Sequence, residues 1–372
     1  MLDINVIDFI FLNLAFAVTF TGVIINNYEK YVPAFIIKGY RYGSFAYQGS
    51  EANFLQVIEI PKSYYRHFYL FAVLFSVFML SYMSFVYYVG VSVSYWVHFV
   101  LKVLLEENEP SVSVNAAMIA MTLLTVQCLR RLYETYYLQV FAKTSKMNLS
   151  HYLAGIVHYF ACIIAVVGQA PLFCGHQNRN NIIWNDLRTT ILAIPCTLIF
   201  FCAWYKQLQT NIIFANLRKD KKSGAVVTEE HKIPHGGLFE RVSSPHRMCE
   251  IVIYTVLILL IPTKTFLCIY LWVLGNQIIF IFIQITLTDY SLEFVTNKSI
   301  LCTDYCCFYC AKQNSFAQYY VTFNKVKKRR HTFLLYYFFI FQIQTSIQAH
   351  EWYKKTFEKY PANRCAVIPR IL

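Results

Sequence analysis

Long apolar runs separated by short polar loops dominate the chain and predict membrane-spanning helices. A helix that crosses a bilayer needs about 20 mostly apolar residues at 1.5 Å rise per residue. Six or seven segments approach this length. The seven are Phe9 to Ile25, Phe68 to Tyr95, Ala116 to Leu129, Tyr152 to Phe173, Thr189 to Tyr205, Glu250 to Ile261 and Phe266 to Gln277. The second is too long for one perpendicular span, so we expect it to be tilted or broken near Gly90.

The charges in the loops predict the orientation of these spans. The loops after the first, third and fifth runs are basic, whereas Lys102, Glu106, Glu107 and Glu109 give the loop between the second and third a negative balance. The positive-inside rule then places the N-terminus outside the cytosol and the C-terminus inside it. Acidic residues precede the first run, which is the opposite polarity to a cleaved signal peptide, so we expect this span to be retained.

The composition supports an all-α integral membrane protein. The 372 residues are 57% hydrophobic and only 14% charged, with a mean hydropathy of +0.42, whereas soluble proteins contain about 25% charged residues. The net charge of +13 could indicate nucleic-acid binding, but the basic residues lie in short loops between apolar runs. We therefore interpret them as membrane-flanking charge and expect membrane lipids, not nucleic acid, as the surroundings.

The cysteines and histidines do not predict a metal site or a disulfide framework. Most cysteines before residue 270 lie in or beside apolar runs, where a thiol behaves as a small hydrophobic group. Cys174 borders a polar loop and is the expected exception to burial. The cluster Cys302, Cys306, Cys307 and Cys310 does not have a common zinc-ligand spacing, and Pro234 separates His231 from His235.

Two sets of polar residues remain as candidates for chemistry. The chain has no Gly-x-Gly, so it lacks the phosphate-binding loop of a Rossmann or Walker motif. Basic residues at span ends could instead bind a polyanionic nucleotide through side-chain forks, or they could be positive-inside charge without a ligand. Glu59 and Glu250 lie at predicted membrane edges, where an ionised carboxylate is costly unless it has a partner; the alternative is a carboxylate that interacts with a helix dipole.

Several sequence blocks resemble the steroid 5α-reductase family and, within it, the polyprenol reductase branch. They are Glu59-Ile60-Pro61-Lys62, Leu129-Arg130-Arg131-Leu132-Tyr133-Glu134, Asn216-Leu217-Arg218-Lys219, Ile233-Pro234-His235-Gly236-Gly237, Val242-Ser243-Ser244-Pro245, His350-Glu351-Trp352-Tyr353 and Phe357-Glu358-Lys359-Tyr360-Pro361. The resemblance extends over most of the chain.

This resemblance implies a seven-helix, multi-pass bundle in the endoplasmic reticulum membrane with a cytosolic C-terminus. It implies NADPH at the cytosolic side and a long-chain polyisoprenoid lipid that enters from the bilayer. The implied reaction reduces the α-isoprene double bond of polyprenol, with the conjugated aldehyde, polyprenal, as the immediate substrate, and yields dolichol for protein N-glycosylation. Hydride addition needs an electron sink, which the aldehyde oxygen provides and an allylic alcohol does not.

The resemblance also implies roles for individual residues. Glu59 matches the acid that engages the substrate carbonyl. The positions on the cofactor side are Arg130, Arg131, Asn211, Arg218, Lys232, Glu250, His350, Tyr353 and Arg364. No metal is implied.

Some positions depart from the family pattern and keep other functions open. The steroid reductases carry a tyrosine three residues before the cofactor-side arginine, where this chain has Gln127 or Cys128. Lys232 stands where arginine is common, and lysine is not an equivalent fork for phosphate. The alternatives are a 3-oxo-Δ4-steroid 5α-reductase, an enoyl-CoA reductase, and a non-catalytic paralogue or seven-span receptor-like protein.

One segment interrupts the pattern. Ile278 to Gln344 contains neither glycine nor proline, and joining Gln277 to Thr345 would restore a continuous last helix. We therefore predict that residues 1–277 and 345–372 form the membrane domain. Residues 278–344 are then an atypical insert, as a translated intron or an isoform-specific segment.

Overall fold

Eight α-helices make up most of the part of the chain that the computed structural model describes, which is residues 4–33, 36, 59–106, 110–139, 141, 146–175, 179–219, 233–278, 354, 361 and 364. They are α1 (Val6–Tyr28), α2 (Tyr65–Ser84), α3 (Tyr95–Leu105), α4 (Val114–Tyr133), α5 (Leu149–Val167), α6 (Leu187–Asn216), α7 (Pro245–Leu260) and α8 (Lys264–Ile278). Two short strands, β1 (Glu59–Pro61) and β2 (Lys146–Asn148), pair antiparallel with Glu59 opposite Asn148.

Each predicted apolar run overlaps one of the longer helices, but the ends differ. The second run is broken: α2 continues as a wider turn to Val89, and Gly90 then adopts a left-handed conformation with φ +95°. The fifth predicted run is too short, because α6 continues through polar residues as far as Asn216. Neither α3 as a separate helix nor the two-stranded ribbon was predicted.

Side-chain caps fix where two of the long helices begin. Ser113 Oγ accepts a hydrogen bond from the backbone N–H of Ala116 at the start of α4, and an oxygen of Asp186 accepts from Thr189 N–H at the start of α6. These caps satisfy N–H groups that have no partner within the helix. Ser113 and Thr189 also share a buried hydrogen bond of 3.1 Å, which joins the two helix starts.

The helices pack so that the bundle has two distinct ends. The ribbon lies beside the start of α2 and α5, where α4 and α6 end and α7 begins; we call this the ribbon end. At the opposite end, called the far end, the Lys264 ammonium lies 2.7 Å from the buried Asp8 carboxylate and joins α8 to α1. Small residues allow close packing between the ends, since Ala116, Ala117 and Ala120 of α4 are completely buried.

Three helical segments in the described part of the chain are long and apolar enough to cross a membrane: Lys62–Val89, Leu149–Val167 and Leu187–Asn216. Large apolar side chains point outward from them, including Leu187, Ile194 and Leu198 of α6, which are 66–76% exposed. Such a surface suits lipid better than water. The helical membrane class is confirmed, whereas among the described residues only these three segments meet the length and hydropathy expected of a span.

The cysteines correct one prediction. Cys174 is 2% exposed and belongs to the buried set, so its position beside a polar loop did not indicate exposure. Cys202 on α6 is the exposed thiol among the described cysteines. No group of three or more potential metal ligands occurs in the described residues.

Candidate active site

Glu59 lies in the ribbon, where the local backbone holds it against the bundle. Its side chain is 8% exposed, and the Lys146 ammonium lies 3.4 Å from its carboxylate. Lys146 itself is 55% exposed. The antiparallel pairing sets this contact, because Lys146 is two residues from Asn148, which faces Glu59 across the ribbon. The predicted acid is therefore a nearly buried carboxylate with a solvent-exposed cation at its edge.

Arg130 is buried at the end of α4 and is surrounded by acceptors. Its guanidinium donates to the Trp204 carbonyl at 2.6 Å and to Gln127 Oε1 at 2.9 Å, and it also donates to Gln207 Oε1. The Glu134 carboxylate lies 3.6 Å away on the next turn. These contacts connect α4 with α6 and offset the cost of burying the charge.

Arg131 points to a different neighbour from Arg130. Its guanidinium donates to the Tyr69 hydroxyl at 2.9 and 3.2 Å, which ties α4 to α2. Arg131 also forms an ion pair with Glu134. Glu134 is completely buried and touches both arginines, so one carboxylate holds the two guanidinium groups in fixed positions.

Glu250 on α7 completes this polar network through two amides. Its Oε2 accepts from Gln207 Nε2 at 2.6 Å and from Gln127 Nε2 at 3.3 Å. Gln207 and Gln127 each also accept from Arg130, so the two glutamines bridge the arginine and the carboxylate. We call Gln127, Arg130, Gln207 and Glu250 the arginine–glutamine network. Two side-chain amides thus serve as the partners that the Glu250 carboxylate needs at the membrane edge.

A second cluster forms where Arg364 meets the loop before α7. Arg364 is 4% exposed and donates to the Pro234 carbonyl at 3.0 Å, and its Nη2 lies 3.1 Å from His235 Nδ1. The Glu240 carboxylate is 3.8 Å from the same guanidinium and also accepts from Gly236 N–H at 2.6 Å. Gly236 and Gly237 have φ of +97° and +57°, which glycine adopts without strain.

Several buried nitrogen atoms at the ribbon end have no hydrogen-bond partner among the described residues. They include Trp204 Nε1, Asn211 Nδ2 and His246 Nδ1. The rings of Phe214 and His246 meet edge to face at 5.2 Å, one turn from Asn211. Because buried polar groups are normally satisfied, donors of this kind fit a site that receives a polar molecule.

The first turn of α7 adds two titratable side chains, His246 and Arg247, whose pKa values are lowered mainly by burial. Burial lowers the pKa of Arg247 to about 10. Burial, followed by the charges of Arg247 and Arg131, lowers the pKa of His246 well below its usual value. The His246 ring is therefore neutral at physiological pH and can act as a hydrogen-bond acceptor or donor rather than as a cation.

The structure brings some of the predicted residues together and leaves others outside its description. Arg130 and Glu250 share the arginine–glutamine network, and Arg218 lies within electrostatic reach of Lys62 beside the ribbon. Lys232, His350 and Tyr353 lie outside the described residues. Sequence reasoning missed Tyr69, Glu134, Gln207 and the role of Lys146. The only signal for Gln207 was its place four residues before Asn211, on the same face of a helix.

These features describe a helical membrane protein with a cationic polar site at one end of its helices. Some buried atoms of this site have no hydrogen-bond partner among the described residues. The profile of the 3-oxo-5-alpha-steroid 4-dehydrogenase family matches residues 145–292 and 262–372. The chain therefore belongs to this family, the steroid 5α-reductases, as its motifs predicted, and is an oxidoreductase that acts on CH–CH groups.

Polyprenal reductases of three animals are similar in sequence to this chain, over different shares of its length. The polyprenal reductase of Drosophila melanogaster is 30% identical over 380 residues, which cover 99% of this chain and 94% of the relative. The polyprenal reductase of Caenorhabditis elegans is 27% identical over 341 residues, 89% of this chain and 85% of the relative. That of Homo sapiens is 30% identical over 206 residues, 54% and 62% respectively.

Proposed function

We propose that the protein reduces the α-isoprene double bond of polyprenal with NADPH, in the endoplasmic reticulum membrane, on the route to dolichol. The observation that carries this proposal is the likeness to the Drosophila polyprenal reductase over nearly the whole of both chains. A seven-span topology with the ribbon end and the C-terminus in the cytosol belongs to the same proposal. The apolar outer faces of α2 and α6 support entry of a lipid substrate from the bilayer.

The residues at the ribbon end fit a large anionic cofactor. Arg218 supplies positive charge, and the Asn211 amide and the His246 ring supply buried donor atoms without described partners. Arg364 orders the Pro234–Glu240 loop beside this site. In this proposal Lys232, His350 and Tyr353 belong to the same side. When bound, NADPH supplies a hydride to the β carbon of the conjugated aldehyde.

Glu59 has the role of stabilising the oxygen that becomes negative during this transfer. As the double-bond electrons move towards the aldehyde, charge develops on its oxygen, and a hydrogen bond aimed there lowers the barrier. Lys146 is more than half exposed, so it can move aside when the lipid enters. Glu59 then lies beside the lipid, where its carboxyl group donates the hydrogen bond to the aldehyde oxygen. The α carbon then takes a proton from water, which completes the reduction and restores the aldehyde carbonyl.

The arginine–glutamine network has a positioning role in this scheme. Arg130 donates hydrogen bonds to Gln127, Gln207 and the Trp204 carbonyl, so protein groups hold it in place. The network fixes the ends of α4, α6 and α7 relative to one another. This geometry keeps Asn211, one turn beyond Gln207, in a constant position for the cofactor.

A steroid substrate is the second candidate, because the family description names a steroid reaction. Gln127 weighs against it. The steroid reductases resembled by this chain carry a tyrosine three residues before the arginine, whereas Gln127 is completely buried and donates to Glu250. An amide engaged in this way does not replace a phenol that partners the catalytic acid.

The decisive experiment measures NADPH-dependent reduction of polyprenal by membranes that contain the full chain. We expect Glu59→Gln to reduce the rate by at least about 100-fold, as for loss of a preorganised donor, with cofactor binding unchanged. Glu106→Gln, a carboxylate at the far end, serves as the matched control. Reduction of polyprenol in an aldehyde-free assay would contradict the aldehyde, and a faster reaction with a 3-oxo-Δ4 steroid would favour the second candidate.

We also propose that residues 278–344 interrupt the reductase domain formed by 1–277 and 345–372. The family profile matches in two stretches that overlap around residue 278, which supports a break in the family pattern there. Sequencing of the mature transcript tests this: a dominant message without the segment supports a translated intron. If the full message dominates, a shortened chain that is less active than the full chain would contradict the interruption.

A further inference from the structure

A cavity of about 1200 Å³ opens at the far end of the bundle, away from the arginine–glutamine network. Its walls come from the wide turn after α2, from α3 and from the segment that follows α5. The Tyr87 hydroxyl donates to the Pro171 carbonyl at 2.6 Å and holds two of these walls together. Volumes of this size accommodate a drug-sized or lipid-sized molecule.

Three basic side chains, His98, Lys102 and Arg179, lie on the cavity wall. Arg179 donates to the Tyr87 carbonyl at 2.8 Å and lies against Gly90, whose open side leaves room for the guanidinium. Among the described residues, no carboxylate lies within ion-pair distance of Lys102 or Arg179. The cavity therefore has positive charge without a neutralising partner in the described part of the chain.

Other cations at the far end do have carboxylate partners. Lys264 pairs with Asp8 at 2.7 Å, and Arg188 pairs with Asp186 at 3.8 Å. In the proposed topology this end faces the lumen, where the positive-inside rule gives no reason for basic residues. Lys102 and Arg179 on one cavity wall are therefore suited to an anionic ligand.

The rest of the cavity wall is apolar and continuous with an exposed aromatic surface. Phe99 and Val103 lie one turn apart on α3, next to Lys102, and line the cavity with Val86 and Val91. On the same helix Tyr95 and Trp96 are 72% and 70% exposed. Aromatic residues of this kind are enriched at the level of lipid headgroups. At 11 residues, α3 is too short to cross the bilayer and suits the interface.

We propose that this cavity binds an anionic phospholipid. The phosphate lies between Lys102 and Arg179, where charge-assisted hydrogen bonds are available. One acyl chain follows Val86, Phe99 and Val103. Such a lipid would join α3 to the wide turn after α2, at the opposite end of the bundle from the site proposed for reduction.

The test titrates the full chain, purified in an uncharged detergent, with phosphatidylglycerol or phosphatidylcholine and follows the unfolding midpoint. We expect phosphatidylglycerol to raise the midpoint and phosphatidylcholine to have little effect. Lys102→Gln should weaken the apparent affinity for phosphatidylglycerol roughly tenfold, the factor for loss of one charge-assisted hydrogen bond. Lys102 is exposed and has no described side-chain partner, so this variant should fold. Arg179→Gln should have an effect at least as large.

Arg188→Gln is the matched control, since it removes a cation at the same end but outside the cavity. Equal stabilisation by both lipids would overturn the proposal, because the headgroup charge would not be recognised. A loss in Arg188→Gln as large as in Lys102→Gln would also overturn it and indicate diffuse charge. If soluble glycerol phosphate stabilised the chain as well as the lipid, the ligand would be free phosphate and not a phospholipid.

Discussion

Gln207 is the residue on which the polar contacts of α4, α6 and α7 converge. It accepts from Arg130 and donates to Glu250 and to the His246 carbonyl. Because Gln207 is 3% exposed, its removal leaves these groups without water to replace it. We expect Gln207→Ala to lower the free energy of unfolding by about 1 to 3 kcal/mol and to raise the KM for NADPH.

The control for this variant is Gln209→Ala on the same helix. The Gln209 side chain accepts a hydrogen bond from Lys206 at the exposed surface, where water can replace it. Urea unfolding in detergent and cofactor titration measure both effects. Equal stability of the two variants would show that the arginine–glutamine network does not hold the helices together.

Substitutions of Lys146 test the contact between its ammonium group and the Glu59 carboxylate in the ribbon. If it orders Glu59 in the free protein, Lys146→Arg should keep most polyprenal reduction, because arginine can reach the same carboxylate. Lys146→Met keeps the apolar stem but removes the charge, and we expect a loss of roughly 10-fold in kcat/KM. A purely structural role would instead lower the amount of folded protein and leave the kcat/KM of the folded remainder unchanged.

Charged residues were easier to identify from the sequence than their neutral partners. Arg130 and Glu250 were recognisable because an ionised group at the edge of an apolar run has to be explained. Gln207 and Tyr69 are neutral, and their partners lie far away in the sequence, as the separation of 77 residues between Arg130 and Gln207 shows. Only packing of the helices reveals such contacts, and the same holds for the pairing of Lys146 with Glu59.

At the scale of elements, apolar runs predicted the longer helices but not their irregular ends. The polar last turns of α6 reduce the hydropathy of its sequence, yet backbone bonds and the arginine–glutamine network keep them helical. The ribbon has three residues in each strand, too few for a periodic signal. The short helix α3 was not predicted, because it begins at Tyr95, where the second run ends, and its 11 residues are too few for a span.

Gly168 determines how closely α3 approaches the end of α5. A Cβ at this position would collide with Leu105 and lie 3.2 Å from Leu101, both buried residues of α3. We expect Gly168→Ala to destabilise the protein by about 1 to 3 kcal/mol, the usual cost of overpacking. Adding Leu105→Ala should recover part of this loss, because it removes the colliding side chain. Unfolding midpoints of both single variants and the double variant measure the coupling, and strict additivity would contradict the contact.

At the scale of the whole molecule, the two ends of the bundle differ in the groups that they present. The ribbon end gathers the arginines, glutamines and Glu59, whereas the far end pairs Lys264 with Asp8 and contains the cationic cavity. This asymmetry agrees with a fixed orientation in the membrane. It makes the proposed topology testable without reference to catalysis.

Glycosylation distinguishes the two orientations. The sequon Asn148-Leu149-Ser150 lies in the ribbon and at the start of α5, so we expect it to be unused if the ribbon end is cytosolic. The substitution Pro110→Ser creates a new sequon at Asn108, in the loop predicted to face the lumen, and we expect this asparagine to be modified. The proteins with and without Pro110→Ser both carry Asn297→Gln, which removes the sequon in the insert. An endoglycosidase-sensitive mobility shift should then appear only with Pro110→Ser. If the protein without Pro110→Ser showed a shift, and Asn148→Gln abolished that shift, the topology would be inverted and Glu59 would lie on the luminal side.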